Sequence, residues 1–368
     1  LGGGQKPSLT FFVEAFWQLS GNVKGVGAFM AALPVLGGFK ILKDVVRISI
    51  ISSPEDKGFP VRLFSAITRE KINLPYLTSV YFDNTWGLNV IVEGSHEERT
   101  LRLIQSTFGK GFQASPARSA VLSLFPHKNN PAVAGTLVET LASHGVAWEA
   151  LASSPSAVSV VLEERLVERA SDALFGPFDF SAYRTPSDWK LAQKGKEMLY
   201  KEVVASYQEK RPKVYGLNYR DSQNLFIVEV DRKGIASFGR ALKSAASRGF
   251  NLSFLASSPD NHGKVNIFFC LPKPGNGVYQ DSMRELARDK RIANVCSAAM
   301  FSMTGPHFGD RYGIASELLN TLNKAGIELT ALTCTIASVR GVVDPHQIQS
   351  AIKAIKSCFE VPAVIKRD

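Results

Sequence analysis

Ile314-Ala315-Ser316-Glu317-Leu318-Leu319-Asn320-Thr321-Leu322, running on into Asn323-Lys324-Ala325-Gly326-Ile327-Glu328-Leu329, is the stretch that decides how this chain folds. Ile314, Leu318, Leu319 and Leu322 are spaced i, i+4, i+5 and i+8, which puts one apolar stripe along a helix. Gly326 follows as a C-cap signal, and Ile327-Glu328-Leu329 opens a strand. Outward from here the arrangement recurs at Phe59/Leu63/Phe64/Ile67, Val133/Leu137/Val138/Leu141 and Ser237/Ala241/Leu242/Ala245. The four starts differ by 74 (133−59), 104 (237−133) and 77 (314−237) residues. Two tandem pairs with a longer interval between them fit that spacing, and a recurring period marks repeated supersecondary units.

Each repeat reads as strand, helix, strand, strand, helix, strand. In the first, Val46 to Ile51 is a β-branched run, Pro60 sits in the first helical turn where its missing donor costs nothing, Ile72-Asn73-Leu74 opens a second strand and Leu88 to Val92 makes a third. Leu101, Ile104 and Phe108 stripe a second helix. The fourth repeat runs from Ala299–Met303 through the helix at Gly313, strands at 329–335 and 336–343, a helix after Pro345, and a closing Ala363-Val364-Ile365. The βαββαβ order is that of a ferredoxin-like split βαβ. The expected fold is therefore α+β, with four ferredoxin-like units in two tandem pairs and helices on one face of antiparallel sheets. The expected divisions are a leader segment at 1–38, units at 39–117 and 118–180, a connecting helix at 181–213, and units at 214–297 and 298–368. Four-stranded units with open edges invite side-by-side pairing into eight-stranded sheets.

The composition is that of a globular protein, with 45% hydrophobic and 21% charged residues. A formal charge of +10 comes without any Lys/Arg block, so a mildly basic wet surface is expected and nucleic acid is not a partner. Residues 9–39 are apolar but interrupted by Glu14, Gln18, Asn22 and Lys24, and read as a buried helix and strand; no membrane partner is expected. Cys270, Cys296, Cys334 and Cys358 have no CxxC spacing, which favours a reduced, cytoplasmic protein over a zinc site or disulfide scaffold. The six histidines are scattered; His127 and His307, in loops before helices, read as exposed or capping groups. No catalytic constellation, metal site or cofactor is expected.

Gly313 through Leu319 and Ala325-Gly326-Ile327-Glu328-Leu329 resemble the ACT domain of aspartokinases, where a Pro-Gly-aliphatic-Ala helix start is followed by a Gly-Ile-Asn strand start. Pro54-Glu55-Asp56-Lys57-Gly58-Phe59 with Lys71-Ile72-Asn73-Leu74 is similar to that family's effector loop and strand, and Val214 to Tyr219 resembles the strand before an aspartokinase ACT pair. Nothing resembles the kinase's Lys-Phe-Gly-Gly-Thr phosphate loop. The resemblance implies a sensor, not an enzyme, that binds a free amino acid (lysine- or threonine-like) where two units meet and works as a homo-oligomer, a dimer. Two alternatives stand beside it: an oligomerisation scaffold without ligand, and a regulatory fragment or subunit of an aspartokinase-like enzyme.

A zwitterion needs helix N-terminal N–H groups for its carboxylate, a carboxylate or carbonyls for its ammonium, and an amide to fix its orientation. In the first repeat Gly58 and Phe59 supply the backbone, Glu55 or Asp56 meets the ammonium, and Asn73, beside Leu74, clamps. The plainer reading has Asp56 capping the helix and Asn73 a strand edge. Asn251 holds the equivalent place in the third repeat, where Ala236 replaces the glycine. Trp148 in the second and Glu328 in the fourth depart from the pattern and make those units structural partners.

Overall fold

The quartets become helices that end in one shared way. In the computed structural model, α1 (Phe59–Arg69), α3 (Pro131–Ser143), α6 (Ile235–Ser247) and α7 (Ile314–Lys324) carry them. The last quartet member accepts, on its carbonyl, the N–H of the residue five positions on: Ile72 to Ile67 at 3.2 Å, Val146 to Leu141 at 2.8 Å, Phe250 to Ala245 at 3.1 Å and Ile327 to Leu322 at 3.0 Å. That closure needs a left-handed residue just before the donor. Gly145, Gly249 and Gly326 supply it with φ of 65°, 79° and 68°, but in α1 it falls to Lys71 at φ 54°. Phe59, Leu63, Phe64 and Ile67 are fully buried, each contributing about 1.5–3 kcal/mol of apolar transfer. In α6 the stripe shifts: Ile235 and Phe238 are buried while Ser237 is half-buried.

The described residues are 34–52, 58–109, 112–193, 211–259, 264–273, 292–305, 308, 311–335 and 338–367. Most of the leader segment, much of the connecting helix, and Glu55, Asp56 and His307 lie outside them. The chain divides into Leu1–Leu33 and one body from Pro34 to Asp368. Besides the quartet helices this body has α2 (Glu97–Phe108), α4 (Val167–Ala173), α5 (Pro186–Gln193) and α8 (Ile348–Cys358). Its strands before the connecting region are β1 (Val35–Leu36), β2 (Gly38–Ser52), β3 (Tyr76–Phe82), β4 (Thr85–Glu93), β5 (Ala114–Phe125), β6 (Trp148–Ser153), β7 (Val158–Glu163) and β8 (Asp179–Phe180). After it come β9 (Gly216–Val230), β10 (Phe254–Pro259), β11 (Val265–Pro272), β12 (Ile292–Thr304), β13 (Leu329–Thr335), β14 (Ser338–Val343) and β15 (Val364–Lys366). The fold is thus α+β, with one large sheet and eight α-helices among the described residues.

Thirteen strands join in the order β11-β10-β6-β7-β5-β2-β4-β3-β13-β14-β12-β9-β15, and β9 also pairs with β11, so the sheet closes on itself. Closure leaves few free edges, which protects against stray pairing. The long strands make it possible. β2 pairs with β5 over 38–42 and again over 45–50, with a register break between Leu42 and Val45 where Asp44 takes φ 56°. A bulge of this kind turns the strand and lets its two halves serve different neighbours. β5 likewise faces β2 along its length and β7 over 119–124. Residues 117–118 and 297–298 therefore fall inside single strands, β5 and β12. The short β8 and β15 are parallel additions, to β1 and β9 respectively, where the sequence pattern suggests antiparallel strands throughout.

Helices cover one face. Beneath them lie two apolar clusters, each drawn from both halves of the chain: Phe64, Ile67 and Leu77 pack with Ile314, Leu318 and Leu332, and Leu137, Leu141 and Trp148 pack with Phe238, Leu242 and Leu255. The first and fourth repeats thus share one core, and the second and third another. Side-by-side pairing occurs within this chain, through β3 with β13 and β6 with β10.

Candidate functional site

Where the first and fourth repeats meet, α1 and α7 leave a cleft. Phe64, Ile67 and Thr68 of α1 and Ile72 and Leu74 ahead of β3 form one wall. Phe308, Arg311 and Gly313 to Ser316 form the other, with Cys334 and Val339 completing the lining; the enclosed space is narrow, about 20 Å3, and opens outward to solvent. The head of α7 shapes it. Gly313 sits at the N-cap with φ 93° and offers no side-chain cap. The Glu317 N–H takes the Gly313 carbonyl at 2.8 Å, and the N–H groups before it have no acceptor within the helix. Gly313 is needed twice over: for its left-handed backbone, and because a Cβ there would stand 3.0 Å from Thr68 Cγ2.

The cleft is positive at one end, with the Thr68 and Ser316 hydroxyls among otherwise apolar side chains. The helix N-terminus and Arg311 both favour an anion. No carboxylate lines the cleft among the described residues. Glu317, one turn along α7, has its carboxyl pushed up by burial, with Arg311 and Arg211 opposing that rise. Polar groups bridge the helices beside the cleft: Asn320 Nδ2 donates to Ser65 Oγ at 3.1 Å and to Ser316 Oγ at 3.2 Å, and the two serine hydroxyls lie 3.4 Å apart. Cys334 is buried and its thiol is pushed up to about 12, which makes it an inert apolar surface.

Of the residues singled out from sequence, Leu74 lines this cleft. Asn73 is half-buried beside it. Gly58 is the N-cap of α1 at φ −82°, again without a side-chain cap, and the ring of Phe59 is core, 4.7 Å from Phe108 and 5.2 Å from Phe112. Neither belongs to the cleft around α7. Asn251 is exposed at the lead-in to β10. What sequence reasoning passed over is Gly313, Arg311 and Thr68. The signal for Gly313 was present: like Gly58, it immediately precedes its quartet.

The second and third repeats meet differently. Gly135 of α3 and Gly239 of α6 face each other so closely that a Cβ on either would lie 2.5–2.6 Å from the other's carbonyl oxygen. Asn129 accepts the Leu252 N–H on its carbonyl at 2.8 Å, and Trp148 is buried. His127, expected at the surface or as a cap, is 1% exposed. Its Nε2 bonds the Ser154 carbonyl, and burial, with the nearby Arg340 charge, pushes the imidazole down to about 4.

No family model matches the sequence. Over 155 residues, 40% of this chain, it is 24% identical to aspartate kinases of Pseudomonas putida and Pseudomonas fluorescens, covering 38% of each. The solved structure of the aspartate kinase from Synechocystis superposes with a TM-score of 0.70 at 17% identity, over 90% of this chain and 57% of that one. The chain thus spans under half the length of those curated relatives and somewhat over half of that structure. These matches overturn the expectation of a non-enzyme: the relatives are aspartate kinases, and part of the Synechocystis structure superposes on nine-tenths of this chain. The expectation rested on the lack of a phosphate-loop resemblance, which cannot separate a free-standing sensor from part of an enzyme. No helix among the described residues is long and apolar enough to cross a membrane.

Proposed function

We propose that this chain is the regulatory part of an aspartate-kinase-type enzyme, built as four ACT-like units. By this reading the units follow the repeats, the first and fourth forming one side-by-side pair and the second and third another, with each long strand shared at a tandem boundary. A free amino acid binds in the cleft between α1 and α7. Its carboxylate meets the first N–H groups of α7 and Arg311, its ammonium meets hydroxyls and carbonyls at the cleft wall, and its side chain lies among Phe64, Ile67 and Leu74. The head of α7 carries this reading: a glycine-capped helix N-terminus opens onto a cleft between two repeats. With no carboxylate among the described lining, a short apolar or hydroxylic side chain suits the cleft better than a lysine-like one.

The enclosed space is too narrow for an amino acid as it stands, so binding there requires α1 and α7 to part, favours the wider spacing, and so biases the state of the enzyme it belongs to. The test is a thermal-shift screen against the twenty amino acids, since a ligand at a hundred times its dissociation constant adds about 2.7 kcal/mol to stability. Stabilisation by one or a few of them, lost in Gly313→Val but kept in Asn251→Ala, is the expected outcome. Equal loss in Gly58→Val would mean a second cleft at the head of α1 contributes. No response to any amino acid would leave the units as scaffold and defeat the reading.

A further inference from the structure

The sheet face away from the helices carries a polar row. Ser49, Asn89, Thr78, Thr333, Arg340 and Ser302 stand directly opposite one another on successive strands β2, β4, β3, β13, β14 and β12. About the β3–β13 seam the row reads almost as a mirror, Ser-Asn-Thr then Thr-Arg-Ser, so Arg340 occupies the place that Asn89 holds on the other side. The two sides differ in charge. On the Asn89 side, Asn89 Nδ2 donates to Thr78 at 3.1 Å, Arg47 Nη1 donates to Asn89 at 3.2 Å, and Arg47 Nε meets the Glu149 carboxylate at 2.7 Å. The cation there has its acid.

Arg340 has none among the described residues. It is 2% exposed, and its partners are neutral: Ser153 Oγ at 3.0 Å and Asn129 Oδ1 at 2.7 Å. Its Nε–H is buried without an acceptor, and so is the Ser302 hydroxyl opposite it. A buried cation is ordinarily paired, because desolvation costs far more than neutral hydrogen bonds return. Burial and the charge of Arg220 already lower the guanidinium to about 9. Both unmatched groups can donate, which asks for an acceptor-only species. A water would satisfy a hydrogen bond and leave the charge uncompensated.

We propose that Arg340 and Ser302 hold a small inorganic anion of halide size, between the guanidinium Nε and the serine hydroxyl. The ion compensates a charge that the fold itself leaves open, and it locks β14 to the Asn129 and Ser153 corner of the second repeat. The site is independent of the amino-acid cleft, which lies on the helix face.

The full chain is prepared in sodium gluconate and titrated with chloride at constant ionic strength while its melting temperature is followed. A saturable rise of roughly 2–4 °C is expected, with no such rise in Arg340→Met. Crystals soaked in bromide should show an anomalous peak beside Arg340 Nε. A flat wild-type response, an equal rise in Arg340→Met, or bromide found elsewhere only, overturns the proposal, as does stabilisation by phosphate but not by chloride. Should Arg340→Met not fold, Ser302→Ala decides: its chloride midpoint should move up about tenfold, the loss of one hydrogen bond to a charge, and an unchanged midpoint counts against the site.

Discussion

The two places where the halves of this molecule join solve one packing problem in opposite ways. At the α3–α6 joint the helices approach until Gly135 and Gly239 touch backbone to backbone. The strands beneath barely meet: Ala152 opposite Ala256 is the one register pair between β6 and β10, helped by the Leu151 N–H donating to Ser257 Oγ at 2.8 Å. At the α1–α7 joint the strands run on in register over four opposed pairs, from Ala331/Val80 to Cys334/Leu77. There the helices stand apart, bridged by Ser65, Ser316 and Asn320, and leave a cleft. A sheet seam with separated helices leaves a narrow space beside it; a glycine-to-glycine helix contact leaves none. The same helix stripe thus gives a tight joint where Gly135 meets Gly239 and a looser one where Ser65, Ser316 and Asn320 meet.

The strongest way to break that comparison is to fill the fixed joint. Gly135→Val sets a side chain against the Gly239 carbonyl, which cannot move without shifting α6. A loss of about 3 kcal/mol or more is expected, at the upper end for overpacking, read from the urea midpoint at constant m-value. A loss below about 1 kcal/mol would mean the helices part easily and the joint is not fixed.

Acid tests the same joint from the loop before α3. An imidazole ordinarily titrates near 6.5, and burial with the nearby Arg340 charge pushes that of folded His127 down to about 4. Between those values the unfolded chain binds the proton and the folded one does not, so stability is complete above pH 6.5 and is lost as pH falls toward 4. That lowering corresponds to about 3 kcal/mol of stability at neutral pH. Stability measured from pH 7 to pH 4 should fall accordingly, and His127→Gln should remove this share of the fall. An unaltered profile in that variant would place the acid sensitivity elsewhere.

How much of this could be read from the chain follows from the same contrast. The helices were legible because the quartets are local: Leu322, Gly326 and Ile327 lie within one turn and its cap. The burial of His127 was not, since its ring and N–H are held by the Ser154 and Ser156 carbonyls, some thirty residues along the chain. Nor was the sharing of β2, β5, β9 and β12, because a β-branched run says that a strand exists and not which neighbours it serves. The cleft was half legible. Gly313 and Leu74 both sit at positions the pattern marks, but they belong to different repeats, and spacing within one repeat cannot show that they meet.

At the open joint the expected effects are smaller. Ser65→Val removes the contacts to Asn320 and Ser316. A loss of about 1 kcal/mol, one net hydrogen bond, should appear in the same urea assay, well under the Gly135→Val effect. A loss as large as at Gly135 would make the two joints equally rigid and erase the distinction drawn between them.

The smallest effect expected runs the other way. Three of the four quartet helices close on a glycine in the left-handed region; α1, which forms one wall of the cleft, closes on Lys71 at φ 54°. A side chain there costs roughly 1–2 kcal/mol, while glycine gives back some 0.5–1 kcal/mol through the freedom of the unfolded chain. Lys71→Gly should therefore stabilise the protein by about 0.5–1 kcal/mol. The gain arises at the turn leading into Ile72 and Leu74, so the variant also asks whether strain in that turn serves the cleft. If an amino acid binds there, tighter binding in Lys71→Gly would mean the strain opposes the bound geometry, and weaker binding would mean it holds Leu74 in place. A variant less stable than the parent would show that the lysine side chain makes contacts worth more than its backbone costs, and α1 would then differ from its three counterparts by more than its cap.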